Sequence, residues 1–100
     1  MDIDLVVFRR WKDSGDIIAL FPEIPADLAG RYCEAYEHVG QHGGADYYCV
    51  IQATEPVEPV EAVDLAEELE RIGYNLRPIK RALYSHHEKR WQAARECALA

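Results

Sequence analysis

The segment IDLVVFRRWKDSGDIIALF, residues 3–21, constrains the fold more than any other part of the chain. Its first run, Ile3 to Trp11, is rich in β-branched and aromatic residues and alternates with a period of two. Its last run, Ile17 to Phe21, is continuously apolar, and both patterns favour strands. Between them Lys12, Asp13, Ser14, Gly15 and Asp16 carry turn chemistry, because Asp and Ser side chains bond the local backbone and Gly tolerates positive φ. The first 21 residues therefore read as a β-hairpin. Both strands are apolar at nearly every central position, so at least one is internal to a sheet and covered on both faces. The rest of the chain has to supply that cover.

Pro22 and Pro25 withhold ladder donors, which makes residues 22–30 a loop. Arg31 to Val39 alternates again and reads as a third strand, Gly40 to Asp46 as a glycine-rich connection, and Tyr47 to Thr54 as a fourth strand completing an antiparallel meander. The period then changes. Ala62, Leu65, Ala66, Leu69 and Ile72 form one apolar stripe behind Pro59, with Glu58, Glu61 and Asp64 at the positive end of the helix dipole and Gly73 as the C-terminal cap. Tyr74 to Tyr84 resumes an extended pattern, and Pro78 marks it as an edge strand. Ser85 to Ala100 reads as a short C-terminal helix, with Ser85 as N-cap and Glu88 at capping-box spacing. The fold class expected is α+β in a single domain over residues 1–100: a mainly antiparallel sheet of a four-strand meander, a helix and a fifth strand, with one helix packed on a face. The Pro/Glu stretch EPVEPVE, residues 55–61, is a linker too short to separate two domains.

Composition narrows the function classes. One hundred residues, 49% of them apolar and 29% charged, suit a single globular core with little room for an elaborate cleft. No apolar run approaches the roughly 20 residues that span a bilayer, and the acidic start lacks the basic region of a secretory signal, so a cytoplasmic protein with no membrane partner is expected. Cys33, Cys49 and Cys97 are an odd and sparse set, expected to be reduced thiols. Within a total charge of −7, residues 1–70 hold 4 Lys/Arg against 16 Asp/Glu, whereas residues 71–100 hold 7 against 2. The last third is a basic block, suited to an acidic partner or to neutralising the rest of the fold.

Cys33, His38, His42 and Cys49 are residue types that zinc prefers, but they lack the close cysteine pair of zinc ribbons, and strand alternation puts Cys33 and His38 on opposite faces. His38 or His42 beside Cys49 would make a thiolate nucleophile only with an orienting third group, which the sequence does not single out. Gly43 and Gly44 fit neither the dinucleotide nor the P-loop pattern, and Glu67, Glu68 and Glu70 read as a solvated helix face. No catalytic residue, metal ligand or cofactor is assigned. The binding candidates are His38, Gln41 and His42 in the glycine-rich segment, and Arg77, Lys80, Arg81 and Trp91 in the basic block, where cations interleave with Tyr84 and Trp91.

The segments IIALFPEIPAD, YEHVGQHGGADY and ELERIGYNLRPIKR resemble, in that order, those of a group of small uncharacterised bacterial proteins from accessory or mobile-element genes, over residues 6–81. The group has no assigned activity, so the resemblance implies a bacterial, cytosolic, stand-alone domain and gives no residue a role. The expected function is a non-enzymatic interaction or regulatory module for another protein. Two alternatives remain: nucleic-acid binding through the basic third, and a small metal-binding protein or enzyme built on His38, His42 and Cys49.

Overall fold

The structure is a computed structural model describing residues 2–38 and 41–99. Val39 and Gly40, read as the end of a strand and the start of a connection, lie outside the described residues, as do Met1, Ala100 and the side chains of Gln41 and Leu99. Strands β1 (Asp4–Trp11) and β2 (Ile17–Pro25) form the expected hairpin, with Val7 opposite Leu20 and Arg10 opposite Ile17. β2 runs four residues further than expected. It accommodates Pro22 and Pro25 through a register shift against β3 (Cys33–Glu37) between Phe21 and Pro25, a bulge where missing donors cost nothing.

The meander has its fourth strand, but in a different place. β4 (Gln41–Ala45) is the glycine-rich segment itself, antiparallel to β3 with Cys33 opposite Ala45 and Glu37 opposite Gln41. A side chain at Gly44 would stand 3.1 Å from the Ala26 Cβ, so this strand lies close against the loop after β2. Tyr47 to Ala53, expected as a strand, is helix α1. The Asp46 carboxylate accepts from the Cys49 N–H at 3.2 Å as its N-cap, and Tyr47 and Val50 turn to the core while Tyr48 and Cys49 stay exposed. At the other end Arg9 donates to the carbonyls of Ile51 (3.2 Å) and Thr54 (3.0 Å), a cation where the helix dipole is negative.

After α1 the chain returns to the free edge of β1 as β5 (Thr54–Pro56), antiparallel. A 3-10 turn (Pro59–Ala62), which buries Ala62, leads into α2 (Val63–Arg71), which buries Leu65 and Leu69; of the expected stripe Ile72, at the C-cap, is exposed. Gly73, at φ 117°, ends it: the Tyr74 N–H reaches the Leu69 carbonyl at 3.1 Å and the Gly73 N–H the Glu70 carbonyl at 3.1 Å. β6 (Leu76–Pro78) then pairs with the same edge of β1, parallel, and α3 (Tyr84–Leu99) closes the chain. Ser85 is not the cap of α3. The helix begins a residue earlier, and the His86 Nδ1 accepts from the Leu83 N–H at 2.9 Å instead.

The described residues thus form an α+β fold of three α-helices and a six-stranded, mostly antiparallel sheet. Both faces are covered, as the apolar strands required. Val7, Ile18, Leu20, Cys33 and Ala35 pack beneath Tyr47 and Val50 of α1, and Val6, Ala19, Phe21 and Tyr36 beneath Leu65 and Leu69 of α2. α3 lies against α1 and the far end of β2, where Ala94 meets Gly30 and His87 meets Tyr47.

Candidate functional site

Among the described residues the sheet is open along the outer side of β4 and is interrupted along the outer edge of β1. β6 covers Asp4 to Val6 and β5 covers Arg9 to Trp11, which leaves Val7 and Phe8 with no strand on that side. Both neighbours end in proline, Pro78 opposite Val6 and Pro56 opposite Arg9, and proline has no N–H with which to extend a ladder. The backbone of Asp4 bonds Asn75, that of Val6 bonds Ile79, and that of Lys12 bonds Ala53, so the even-numbered residues of β1 face this edge. By the same alternation the N–H and C=O of Phe8 face the gap. The chain leaves the gap in two directions, residues 57–62 toward α2 and Ile79 toward the opposite core.

A groove of about 620 Å³ opens there, with Phe8, Val57, Val63, Ala66, Pro78 and Ile79 among its apolar lining and Glu58 and Lys80 on its rim. Val63 is 44% exposed and neighbouring Val60 77%, which extends the apolar surface outward. Lys80 stands with Arg77 and Arg81 as exposed cations, and among the described residues none of the three has a carboxylate at ion-pair distance. Arg10, by contrast, is shared by Glu55 and Glu61, and the Glu55 hydrogen bond is the main cause of its raised pKa.

His38 follows β3 and His42 lies in β4, both on the α2 side of the sheet. The His38 Nδ1 lies 2.8 Å from Glu68, which also accepts from the Tyr36 hydroxyl. The His42 ring meets Tyr36 edge-on at 4.6 Å and stands 3.7 Å from Glu34, which accepts from the Tyr74 hydroxyl at 2.5 Å. Burial first, and then the bond to Glu34, raise the Tyr74 pKa. The expected candidates His38 and His42 are therefore brought to one polar network, with Gln41 between them in the chain. Cys49 is not part of it. It sits on α1, over the opposite face, beside a cleft of about 560 Å³ with Trp11, Glu37 and Asp46. Among the described residues no three His, Cys, Asp or Glu side chains are grouped as ligands for an ion.

Trp91 belongs to a third cluster, on α3. Its ring lies 5.7 Å from Tyr84 and 6.3 Å from His87, which in turn contacts Tyr47 and Tyr48. Beneath these rings Arg90 is 4% exposed and donates to the carbonyls of Gly30 and Pro22 at 2.8 Å each and to the His87 Nδ1 at 2.7 Å. Because the guanidinium has only donors, His87 is neutral and carries its proton on Nε2, which is buried without a partner. Burial and then the Arg90 charge lower the His87 pKa. The basic block is thus divided in use, with Arg90 spent on structure and Arg77, Lys80 and Arg81 left to solvent.

Of the groove residues Lys80 alone was among the sequence candidates. Their signal was present in Pro56, Pro59 and Pro78 and in the exposed valines, but the Pro/Glu stretch reads as a linker until β5 and β6 are seen to share one edge. Architecture and surfaces define a small α+β domain with an interrupted sheet edge. No family model, curated protein or solved structure matches the chain. Among the described residues no helix is long and apolar enough to cross a membrane.

Proposed function

We propose that this chain is a small non-enzymatic interaction module that binds another protein through the groove at the outer edge of β1, working as a cytoplasmic, stand-alone bacterial domain. The observation that carries the reading is the groove itself, an apolar surface beside an unpaired stretch of sheet, which is what partner recognition by strand addition and apolar anchoring uses. The polar clusters support it less, since the His38 and His42 network is held by its own carboxylates and the α3 rings pack on one another. The test is selection of a random displayed-peptide library against the native protein and against Ala66→Trp, which fills the groove from a half-buried helix position. Sequences enriched on the native protein alone support the reading, and identical enrichment on both proteins refutes it.

Nucleic-acid binding keeps one specific observation in its favour, the unpaired Arg77, Lys80 and Arg81 with Tyr84 66% exposed nearby in the chain. Against it stands the acidic remainder of the molecule. Retention on immobilised polynucleotide that falls steeply with salt, and vanishes when the three cations become Gln, would favour that reading over the first.

A further inference from the structure

We propose that the occupant of the groove is an extended peptide segment of a partner protein with an apolar centre and acidic residues at the end that lies by Lys80. This rests on the reading of the groove as a protein-binding site, and two features of the groove specify its guest. The first is the gap in the sheet edge. Phe8 offers one N–H donor and one C=O acceptor, the complement of a single residue of an extended backbone, and places its side chain in the groove below them. A helix satisfies its own backbone and has nothing to give this pair, whereas a strand does. The second is the charge at the rim. Lys80 stands in the lining, Arg77 is on β6 and Arg81 follows Lys80 in the chain, all three exposed and, among the described residues, without a carboxylate at ion-pair distance, whereas Glu55 and Glu61 on the β5 side are already matched by Arg10. Glu58 is the carboxylate that remains in the lining. Charge therefore differs between the two ends of the groove, attracting acid near Lys80 and repelling it near Glu58, and that difference orients a bound chain.

The chemistry of the groove favours peptide over polynucleotide. A phosphate backbone would meet the same three cations, but it would bring a charge to every unit of an apolar trough bordered by the acidic outer face of α2, where Asp64, Glu67 and Glu70 are exposed. A peptide places its charges at one end and its apolar side chains in the trough.

The experiment uses the full chain and three labelled synthetic peptides of about eight residues, followed by fluorescence anisotropy at low and moderate salt. All share the centre Val-Ile-Val-Thr; one begins with Asp-Glu-Asp, one begins with Lys-Lys-Lys, and one repeats the acidic sequence with the central Ile N-methylated. The expected result is that the acidic peptide binds at least tenfold tighter than the basic one. The triple change Arg77→Glu, Lys80→Glu and Arg81→Glu should reverse that preference, and N-methylation should weaken binding about tenfold or more. Among the described residues the three cations make no ion pair, so the triple variant should keep the native circular dichroism spectrum and melting behaviour. Equal affinities for the acidic and basic peptides, or a preference that survives the triple reversal, overturns the proposal. If neither peptide binds while library selection still enriches sequences that Ala66→Trp abolishes, this inference fails and the groove reading stands. If that selection is empty too, both fail.

Discussion

At the scale of single residues the most demanding position is the His87 and Arg90 pair. Arg90 is a buried cation held by two carbonyls and one imidazole nitrogen, with no carboxylate at ion-pair distance among the described residues. Arg90→Met should leave those acceptors unpaired in a dry site and cost about 2 to 4 kcal/mol in urea unfolding. Lys, with a point charge in place of a fork, should recover less than half of that. His87 adds a pH dependence whose sign is fixed by its environment. The groups facing it are Arg90 and His86 on its own helix and the Tyr47 and Tyr48 rings of α1, so no anion compensates a proton. Its pKa is lowered in the fold, so below the ordinary value of about 6.5 the unfolded chain binds a proton that the native state refuses. Stability should therefore hold above pH 7 and fall between about pH 6.5 and the lowered native pKa, by at most about 1.4 kcal/mol per pH unit from this one group. His87→Gln keeps an acceptor for Arg90 without titrating. Urea midpoints of the two proteins should diverge on acidification, and parallel curves would remove His87 as the source.

At the scale of elements, α1 shows how far local sequence reaches. The run YYCVIQA is β-branched and aromatic, which favours a strand, yet Asp46 caps its first turn and Arg9, 42 residues from Ile51, holds its last. The cap is readable from the sequence once Asp46 is taken as a start signal; the contribution of Arg9 is not, because it depends on β1 already standing beside α1. Asp46→Ala should lower stability by about 1 kcal/mol in thermal or urea melts, whereas a strand at this position would be indifferent to the change. β4 escaped notice for the converse reason. Two glycines weaken a strand in isolation, but here the lack of a side chain at Gly44 lets the strand lie against Ala26. The elements whose pattern is local were legible: the first hairpin from its apolar alternation, and α2 from the stripe that buries Leu65 and Leu69. Among the candidate residues, Arg77, Lys80 and Arg81 came from the basic block, suited either to an acidic partner or to neutralising the fold, and among the described residues none of the three has a carboxylate at ion-pair distance. The groove beside them depends on two distant prolines ending two strands on one edge, and no window of sequence contains both.

At the scale of the whole molecule, α3 closes the side of the sheet that α1 leaves open, and the three thiols report on that closure from different depths. Cys33 is fully buried in the core beneath α1, close enough to Arg90 to feel its charge, and burial pushes its thiol up to about 11. Cys49 and Cys97 are exposed on α1 and α3. A thiolate is the reacting form, so Cys33 is protected twice, by exclusion of reagent and by the cost of ionising in place. With a disulfide reagent at pH 8, Cys49 and Cys97 should react promptly, while Cys33 should lag by at least about a thousandfold, since it waits on openings that approach global unfolding. The lag also tests how α3 is held. If Arg90 is the principal tie between the helix and the Pro22 and Gly30 carbonyls, then Arg90→Met should shorten it far more than it changes the rate at Cys49, because undocking α3 uncovers the core around Cys33 whereas Cys49 is exposed already. Equal acceleration at all three thiols would mean that the molecule opens as one unit and that Arg90 stabilises the whole fold instead of latching one helix to it.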